Sequence, residues 1–205
     1  PQYTVEELLA QAKAVGEEPI WSIGENLAVA AKGHPETLVK AAADTDAGTA
    51  LASGYALLKM GEPRLACDVL DKLVRGSAPL ARRVDAAAAL GCDGGEYSAN
   101  CLYELLQDKT LPERLQVEVA KSLWKVNRSI SAKDALNRLL QAKSESARAE
   151  AALALASFAP AADLGKLLQV LIFKPGATGD RAKRLLVDRA KQALKEGELE
   201  VVAPM

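Results

Sequence analysis

The sequence predicts an all-α protein in which about six helical hairpins stack into an α-solenoid. Three observations support this fold class. The chain is rich in Ala, Leu, Lys and Glu, which favour helices, and only 4% of its residues are aromatic. Small and apolar residues recur at helical spacing, and the pattern repeats about every 32 residues. Two short amphipathic helices cannot bury both apolar faces alone, so neighbouring hairpins must stack.

The repeat begins at an anchor residue, followed by mostly small residues at positions +3 and +4 and an apolar residue at +7. The clearest copy has Arg148 as its anchor, then Ala151, Ala152 and Leu155. These spacings place the residues on one face of a helix, so each copy predicts the buried face of a hairpin's second helix. We expect Arg148 to reach either local backbone or an acid of a neighbouring unit. The anchors of the five copies are Ile20, Leu51, Arg83, Gln116 and Arg148.

A sixth copy lies 39 residues after the fifth and departs from the pattern. It consists of Val187, Ala190, Lys191 and Leu194, so its second small residue is replaced by lysine. The longer spacing fits a loop, "FKPGATGD", and the added charge predicts a terminal helix with one face in water.

Leucine-rich segments between the copies predict the first helices of the hairpins. Their apolar residues also recur at helical spacing. Capping-box pairs, in which a Thr is followed three residues later by a Glu, predict starts near Thr4 and Thr110, and prolines predict first turns at Pro35, Pro63 and Pro112. The predicted single domain, 1–205, divides into hairpins at 1–33, 34–61, 62–94, 95–129, 130–160 and 161–205.

The pattern of Arg, small pair and Leu in hairpins of about 30 residues resembles the short HEAT-like repeats of phycobilisome lyase-type proteins. Arg83 and Arg148 carry this resemblance, which covers nearly the whole chain but bears on architecture alone. Gly54 and Tyr55, in "ASGYALLKMGEPRLACDVL", are similar to a tetratricopeptide repeat instead. The small pair recurs in more units, which favours the HEAT-like interpretation.

Composition excludes several classes of protein. The 205 residues carry a net charge of −1 and are 49% hydrophobic, unlike a disordered tail or a generally basic nucleic-acid binder. The chain contains no apolar run of about 18 residues and no signal peptide, and we expect a soluble, cytoplasmic protein. It begins at Pro1 rather than Met, from which we expect a piece of a longer protein.

The three cysteines Cys67, Cys92 and Cys101 are interpreted as reduced, buried apolar residues, since a chain of this length has a sufficient core. A Cys92–Cys101 disulfide is the alternative. The one histidine, His34, precedes a predicted helix start. No CxxC pair, clustered carboxylates, GxSxG or P-loop is present, so we expect no metal, no cofactor and no enzyme activity.

Two enzyme alternatives come from the resemblance. Some HEAT-like DNA glycosylases combine a basic concave face with an aromatic residue and an acid, for which Trp21, Trp124 and Glu118 are candidates. The first 62 residues carry 4 basic against 9 acidic residues, which argues against contact with phosphates. The second alternative, a bilin lyase, is supported by the type of repeat alone.

The favoured function is a protein-interaction or scaffold module. Its partner would be another protein or a neighbouring domain of the same chain, with neither nucleic acid nor membrane expected. Second helices line the concave side of such solenoids, so their polar residues are the binding candidates. These candidates are Arg82, Glu113, Arg114, Glu118, Lys121, Trp124, Lys125 and Glu150. A second candidate is a basic face on the last helix, formed by Arg181, Arg184, Lys191 and Lys195.

Overall fold

A computed structural model of the protein describes residues 3–14, 20–43, 46–92 and 95–196. Within these ranges the chain forms α-helices and one 3-10 helix, with no strand. The all-α fold class is therefore confirmed. None of the described helices combines the length and the hydropathy that crossing a bilayer requires.

Taken in chain order, two α-helices lie within the sequence range of each predicted hairpin. The second helix of each pair contains one copy of the repeat. The last pair differs, because a 3-10 turn at Ala161–Asp163 and the five-residue α11 replace a full first helix. The helices are α1 (Val5–Ala14), α2 (Trp21–Ala30), α3 (Pro35–Ala42), α4 (Ala47–Lys59), α5 (Pro63–Arg75), α6 (Leu80–Leu90), α7 (Glu96–Gln107), α8 (Glu113–Asn127), α9 (Ile130–Leu139), α10 (Glu145–Ala156), α11 (Leu164–Leu168) and α12 (Ala177–Glu196).

The chain divides into two compact units, residues 1–132 and 133–205. In the first unit, α2 packs against α4, α4 against α6, and α6 against α8. The first helices also meet, since α3 contacts α5 and α5 contacts α7. In this unit α4 and α6 each contact their own hairpin partner and the second helices of both adjacent hairpins.

Helix starts follow the predicted signals in part. Thr4 and Glu7 form the predicted capping box, with each backbone N–H donating to the other's side chain at 2.8 and 3.2 Å. The box predicted at Thr110 is wrong, because Thr110 instead donates its N–H and hydroxyl to Asp108 Oδ1. Pro112 is the residue before α8 rather than part of its first turn.

The repeated stripe is buried in the second helices of the first unit. A glycine within the stripe allows α2 to approach α4 closely, because a Cβ atom on Gly24 would lie 2.6 Å from Tyr55 Cδ1. Gly54 has the same role between α4 and α5, where a Cβ would lie 2.6 Å from Leu70 Cδ2. Ala86 and Ala87 of α6 are fully buried. Small residues therefore set the spacing of these helices.

The polar anchors of the repeat bind backbone carbonyls near the turn of their own hairpin. Arg83 Nε donates to the Val74 carbonyl at 2.8 Å, and Gln116 Nε2 donates to Leu111 at 2.7 Å. In the second unit, Arg148 Nη1 donates to the carbonyls of Ala142 and Lys143 at 2.7 and 2.9 Å. The expectation that Arg148 binds local backbone is confirmed. The Val74 carbonyl lies in the last turn of α5, where carbonyls lack a partner within the helix, and the other three carbonyls lie in the turns between helices.

The second unit packs α10 against α11 and α12 around a small apolar core. The sixth copy of the repeat does not form a buried stripe in α12, so this part of the prediction is wrong. Val187 and Leu194 are each 50% exposed, and Lys191 is exposed. Ala182 and Ala193, on another side of α12, are the buried residues.

Replacing Ala87 with Leu tests the role of the small residues. The larger side chain overpacks the fully buried site, so we expect the free energy of unfolding to fall by about 1–3 kcal/mol. Ala81→Leu is the matched control, because Ala81 is exposed on the same helix. Urea denaturation measures both. Equal effects of the two substitutions would contradict the close-packing role.

Replacing Arg83 with Ala tests the anchor. Loss of the bond to Val74 leaves a carbonyl without its partner, and we expect a loss of about 1–2 kcal/mol in the free energy of unfolding. Arg83→Gln should retain part of the stability, because a Gln amide at this position can donate to a carbonyl of the hairpin turn, as Gln116 does to Leu111 in α8. The exposed Arg64, changed to Ala, is the control. Thermal unfolding that ranks Arg83→Gln no better than Arg83→Ala would contradict the role of this bond.

Candidate functional site

Six charged side chains gather on α6 and α8, two helices that pack against each other. Asp85 and Glu118 each follow their anchors by two residues, so they occupy equivalent positions on the two helices. Four cationic side chains lie on the same two helices as these carboxylates. We name this set the α6–α8 charged face: Arg82, Asp85, Arg114, Glu118, Lys121 and Lys125.

Glu118 is the centre of the part on α8. Its side chain is 5% exposed and lies between two cations of the same helix. Lys121 Nζ is 2.7 Å from Glu118 Oε2, and Arg114 Nη1 is 3.7 Å from the same oxygen. These pairs have the i+3 and i−4 spacings that bring helical side chains together. A buried carboxylate of this kind requires such cationic neighbours.

Arg82 and Asp85 form the part on α6. Arg82 is nearly buried, and its Nη1 lies 3.6 Å from Asp85 Oδ2. Burial raises the pKa of Asp85, Arg82 acts to lower it, and the negative charge of Glu118 raises it further. The carboxylates on the two helices are therefore close enough to repel each other. The surrounding cations offset this repulsion.

The outermost groups of the α6–α8 charged face are cations. The side chain of Lys121 is 42% exposed, and Lys125 is exposed one turn further along α8. Trp124 is half-buried at the same end of the helix, and the guanidinium of Arg128 lies 5.7 Å from the centre of its ring. Glu113, the first residue of α8, is also half-buried. The face thus places positive charge outward beside one aromatic residue.

Two residues predicted on different surfaces pair with each other in the second unit. Arg181 of α12 donates to both carboxylate oxygens of Glu150 of α10, at 2.5 and 3.0 Å. Such a two-bond pair fixes both side chains. Sequence spacing did not predict this pair, because the two residues lie 31 positions apart.

On the predicted basic face of α12, the arginines and the lysines have different surroundings. Arg181 pairs with Glu150, and Arg184 Nε donates to the Asp180 carbonyl at 3.4 Å. Arg189, which is not part of the predicted face, donates to the Ala159 carbonyl at 2.6 Å. Lys191 and Lys195 are exposed. The arginines therefore bind within the second unit, and the lysines present charge to solvent.

A groove of about 860 Å³ in the first unit was not predicted from the sequence. It extends from α3 and α5 to the first turns of α4 and α6. Lys13, Lys72 and Arg82 line it together with Asp46 and Asp68. Asp46 already accepts a hydrogen bond from the Thr49 N–H at 2.7 Å, so this carboxylate has a structural role as the cap of α4.

The histidine and the cysteines do not converge on one site. His34 is exposed at the start of α3, 3.2 Å from Glu36 Oε1. Among the residues that the structure describes, no three His, Cys, Asp or Glu side chains are placed to hold a metal ion. All three cysteines are free. Cys67 is buried as predicted, Cys101 is only half-buried, and Cys92 is exposed, so the prediction of burial is wrong for Cys92. It lies in the turn after α6, where its thiol donates a hydrogen bond to the Ala88 carbonyl at 3.5 Å.

Cys67 of α5 and Cys101 of α7 are close enough for their thiols to form a hydrogen bond. This bond raises the pKa of Cys101, and burial raises it further. A thiol held in its neutral form is a poor nucleophile. Cys101 is therefore not suited to act as a catalytic nucleophile.

No protein-family model and no curated protein matches the chain. The HEAT-like and tetratricopeptide resemblances therefore remain predictions about its repeats.

Cysteine alkylation tests the thiol environments. With iodoacetamide at pH 8, we expect Cys92 to react at least about tenfold faster than Cys101, since Cys92 is an exposed residue and the thiol of Cys101 has a raised pKa. Time-resolved peptide mass spectrometry measures both rates in the native protein, and denatured protein is the control in which the rates should converge. A native Cys101 that reacts as fast as Cys92 would contradict the assigned contact with Cys67.

Proposed function

We propose that the chain is a protein-interaction module, an α-solenoid of HEAT-like hairpins that binds an acidic segment of another protein or of a neighbouring domain. The observation that carries this proposal is the charge arrangement of the α6–α8 charged face. Its two carboxylates lie deeper than Lys121 and Lys125, and its four cations outnumber them. A partner that approaches this face therefore meets an excess of positive charge.

The structure of the face also limits the cost of binding. Glu118 holds Lys121 and Arg114 in position, so these long side chains lose less rotational freedom when a partner carboxylate arrives. Trp124 supplies a half-buried aromatic surface at the same end of α8. An acidic peptide with one apolar side chain would match both features.

The helix contacts support the solenoid part of the proposal. In residues 1–132 the second helices meet in chain order, from α2 through α4 and α6 to α8. The first helices α3, α5 and α7 also meet in order. Contacts between each repeat and its next neighbour are the defining feature of solenoid proteins.

The enzyme alternatives gain little from this geometry. A glycosylase-like role for Glu118 would require its carboxylate to reach a substrate. Its side chain is 5% exposed and is paired with Lys121 at 2.7 Å. A general base must reach the proton it removes, so an accessible carboxylate would suit this chemistry better.

A charge-reversal experiment tests the proposed face. From a displayed library of random 16-residue peptides, we expect the chain to select acidic sequences, and Lys125→Glu to weaken their binding roughly tenfold or more, because attraction becomes repulsion. The exposed Arg64 of α5, changed to Glu, is the matched control with the same change in net charge. Fluorescence anisotropy measures each dissociation constant.

Two outcomes would overturn the proposal. One is equal weakening by Lys125→Glu and Arg64→Glu, which would indicate a general charge effect instead of a site. The other is selection of peptides with no acidic bias, together with duplex-DNA binding that weakens steeply with salt. The second result would favour a DNA-binding enzyme of the HEAT-like type.

A further inference from the structure

The second unit exposes large apolar side chains along one short part of the chain. Phe173 is 81% exposed, Val170 is 71% exposed, and Val187 and Leu194 are half exposed. Single exposed apolar residues are common on protein surfaces, whereas a group of them indicates a binding surface. Two of these residues come from the turn after α11, and the other two come from α12.

A groove of about 530 Å³ lies between these two elements. Ile172 and Phe173 form one wall, and Leu186 and Val187 of α12 form the other, with Lys183 at the edge. We name these five residues the C-terminal groove. Its apolar walls and open form match the grooves that accept the apolar side of an amphipathic helix.

Positive charge lies beside the C-terminal groove. At 100° per residue, Lys183, Val187, Lys191 and Leu194 fall within about 80° of the circumference of α12. Lys183 and Lys191 are exposed, and no described carboxylate forms an ion pair with either. Their ammonium groups are thus available to a partner that brings carboxylates to this edge.

The sequence of α12 indicates that the occupant of the groove is not a further hairpin of the repeat. In the copies at α2, α6, α8 and α10, the position four residues after the anchor holds Gly or Ala. In α12 this position holds Lys191, whose long charged side chain opposes the close helix contact that Gly24 allows. A partner that carries acidic residues pairs with this lysine instead.

We propose that the C-terminal groove binds an amphipathic helix of another protein, whose apolar side chains enter between Phe173 and Val187 and whose flanking Glu or Asp residues pair with Lys183 and Lys191. This site is separate from the α6–α8 charged face and differs in chemistry, since apolar contact provides the groove with its main binding surface. Charge then sets the identity and the orientation of the helix.

The test uses a designed peptide with the full chain. The peptide is an Ala-based helix with Leu at i, i+3 and i+7 and Glu at the flanking positions, and its control carries Lys in place of each Glu. Fluorescence anisotropy should show saturable binding of the Glu peptide and at least tenfold weaker binding of the Lys peptide. Val187→Asp should abolish binding, whereas Val29→Asp, at an exposed residue of α2, should leave it unchanged.

Further variants distinguish the occupants. Lys191→Glu should weaken binding of the Glu peptide and strengthen binding of the Lys peptide. Circular dichroism checks that each variant is folded. Residues 197–205 contain Leu199, Val201 and Val202 with two acidic residues, the same chemistry as the proposed partner. A variant that lacks these residues is therefore tested separately. A gain in peptide affinity of tenfold or more after this truncation would overturn the proposal in favour of the chain's own tail.

A second copy of the chain is the remaining occupant. In sedimentation velocity without peptide, the chain and its Val187→Asp variant should have the same oligomeric state. A dimer that the variant dissociates would overturn the proposal. Equal binding of the Glu and Lys peptides would also overturn it. Lys125→Glu should leave peptide binding to the C-terminal groove unchanged, so failure here is distinguishable from failure of the proposed function.

Discussion

Close contact between successive second helices is the constraint on which the rest of the first unit depends. Small residues make that contact possible, as at Gly24, where any side chain would collide with Tyr55 of the next second helix. A helix that is buried along this stripe must place its charged residues elsewhere. In α8 the remaining side carries Arg114, Lys121 and Lys125, so the packing of the repeat decides where polar chemistry is available.

The polar residues of the second helices divide into two groups by position. At the anchor, Arg83 and Gln116 turn toward backbone carbonyls and stabilise their own hairpins. Two residues later, Asp85 and Glu118 face neighbouring cations and hold them in place. Charge at the second position is costly to bury, and the surrounding cations offset this cost. The same short helical segment therefore contributes both to stability and to the α6–α8 charged face.

Some elements of the structure could be predicted from the sequence, and others could not. The five complete copies of the repeat predicted the second helices, because burial at helical spacing leaves a direct mark on composition. The sixth copy failed because α12 turns a different side, with Ala182 and Ala193, toward the core. The Glu150–Arg181 pair, the Cys67–Cys101 contact and the groove beside Phe173 join residues distant in sequence. Tertiary packing creates such contacts, and local periodicity carries no record of them.

Native-state hydrogen exchange tests most directly whether the second helices form the continuous core of the first unit. Amides that open only with global unfolding are the most protected in a protein. If the second helices form this core, the most protected amides are those of residues 52–57, 86–90 and 119–123, in the buried stripes of α4, α6 and α8. If these amides exchange through local opening while those of α5 and α7 require global unfolding, the first helices form the core and the account is contradicted.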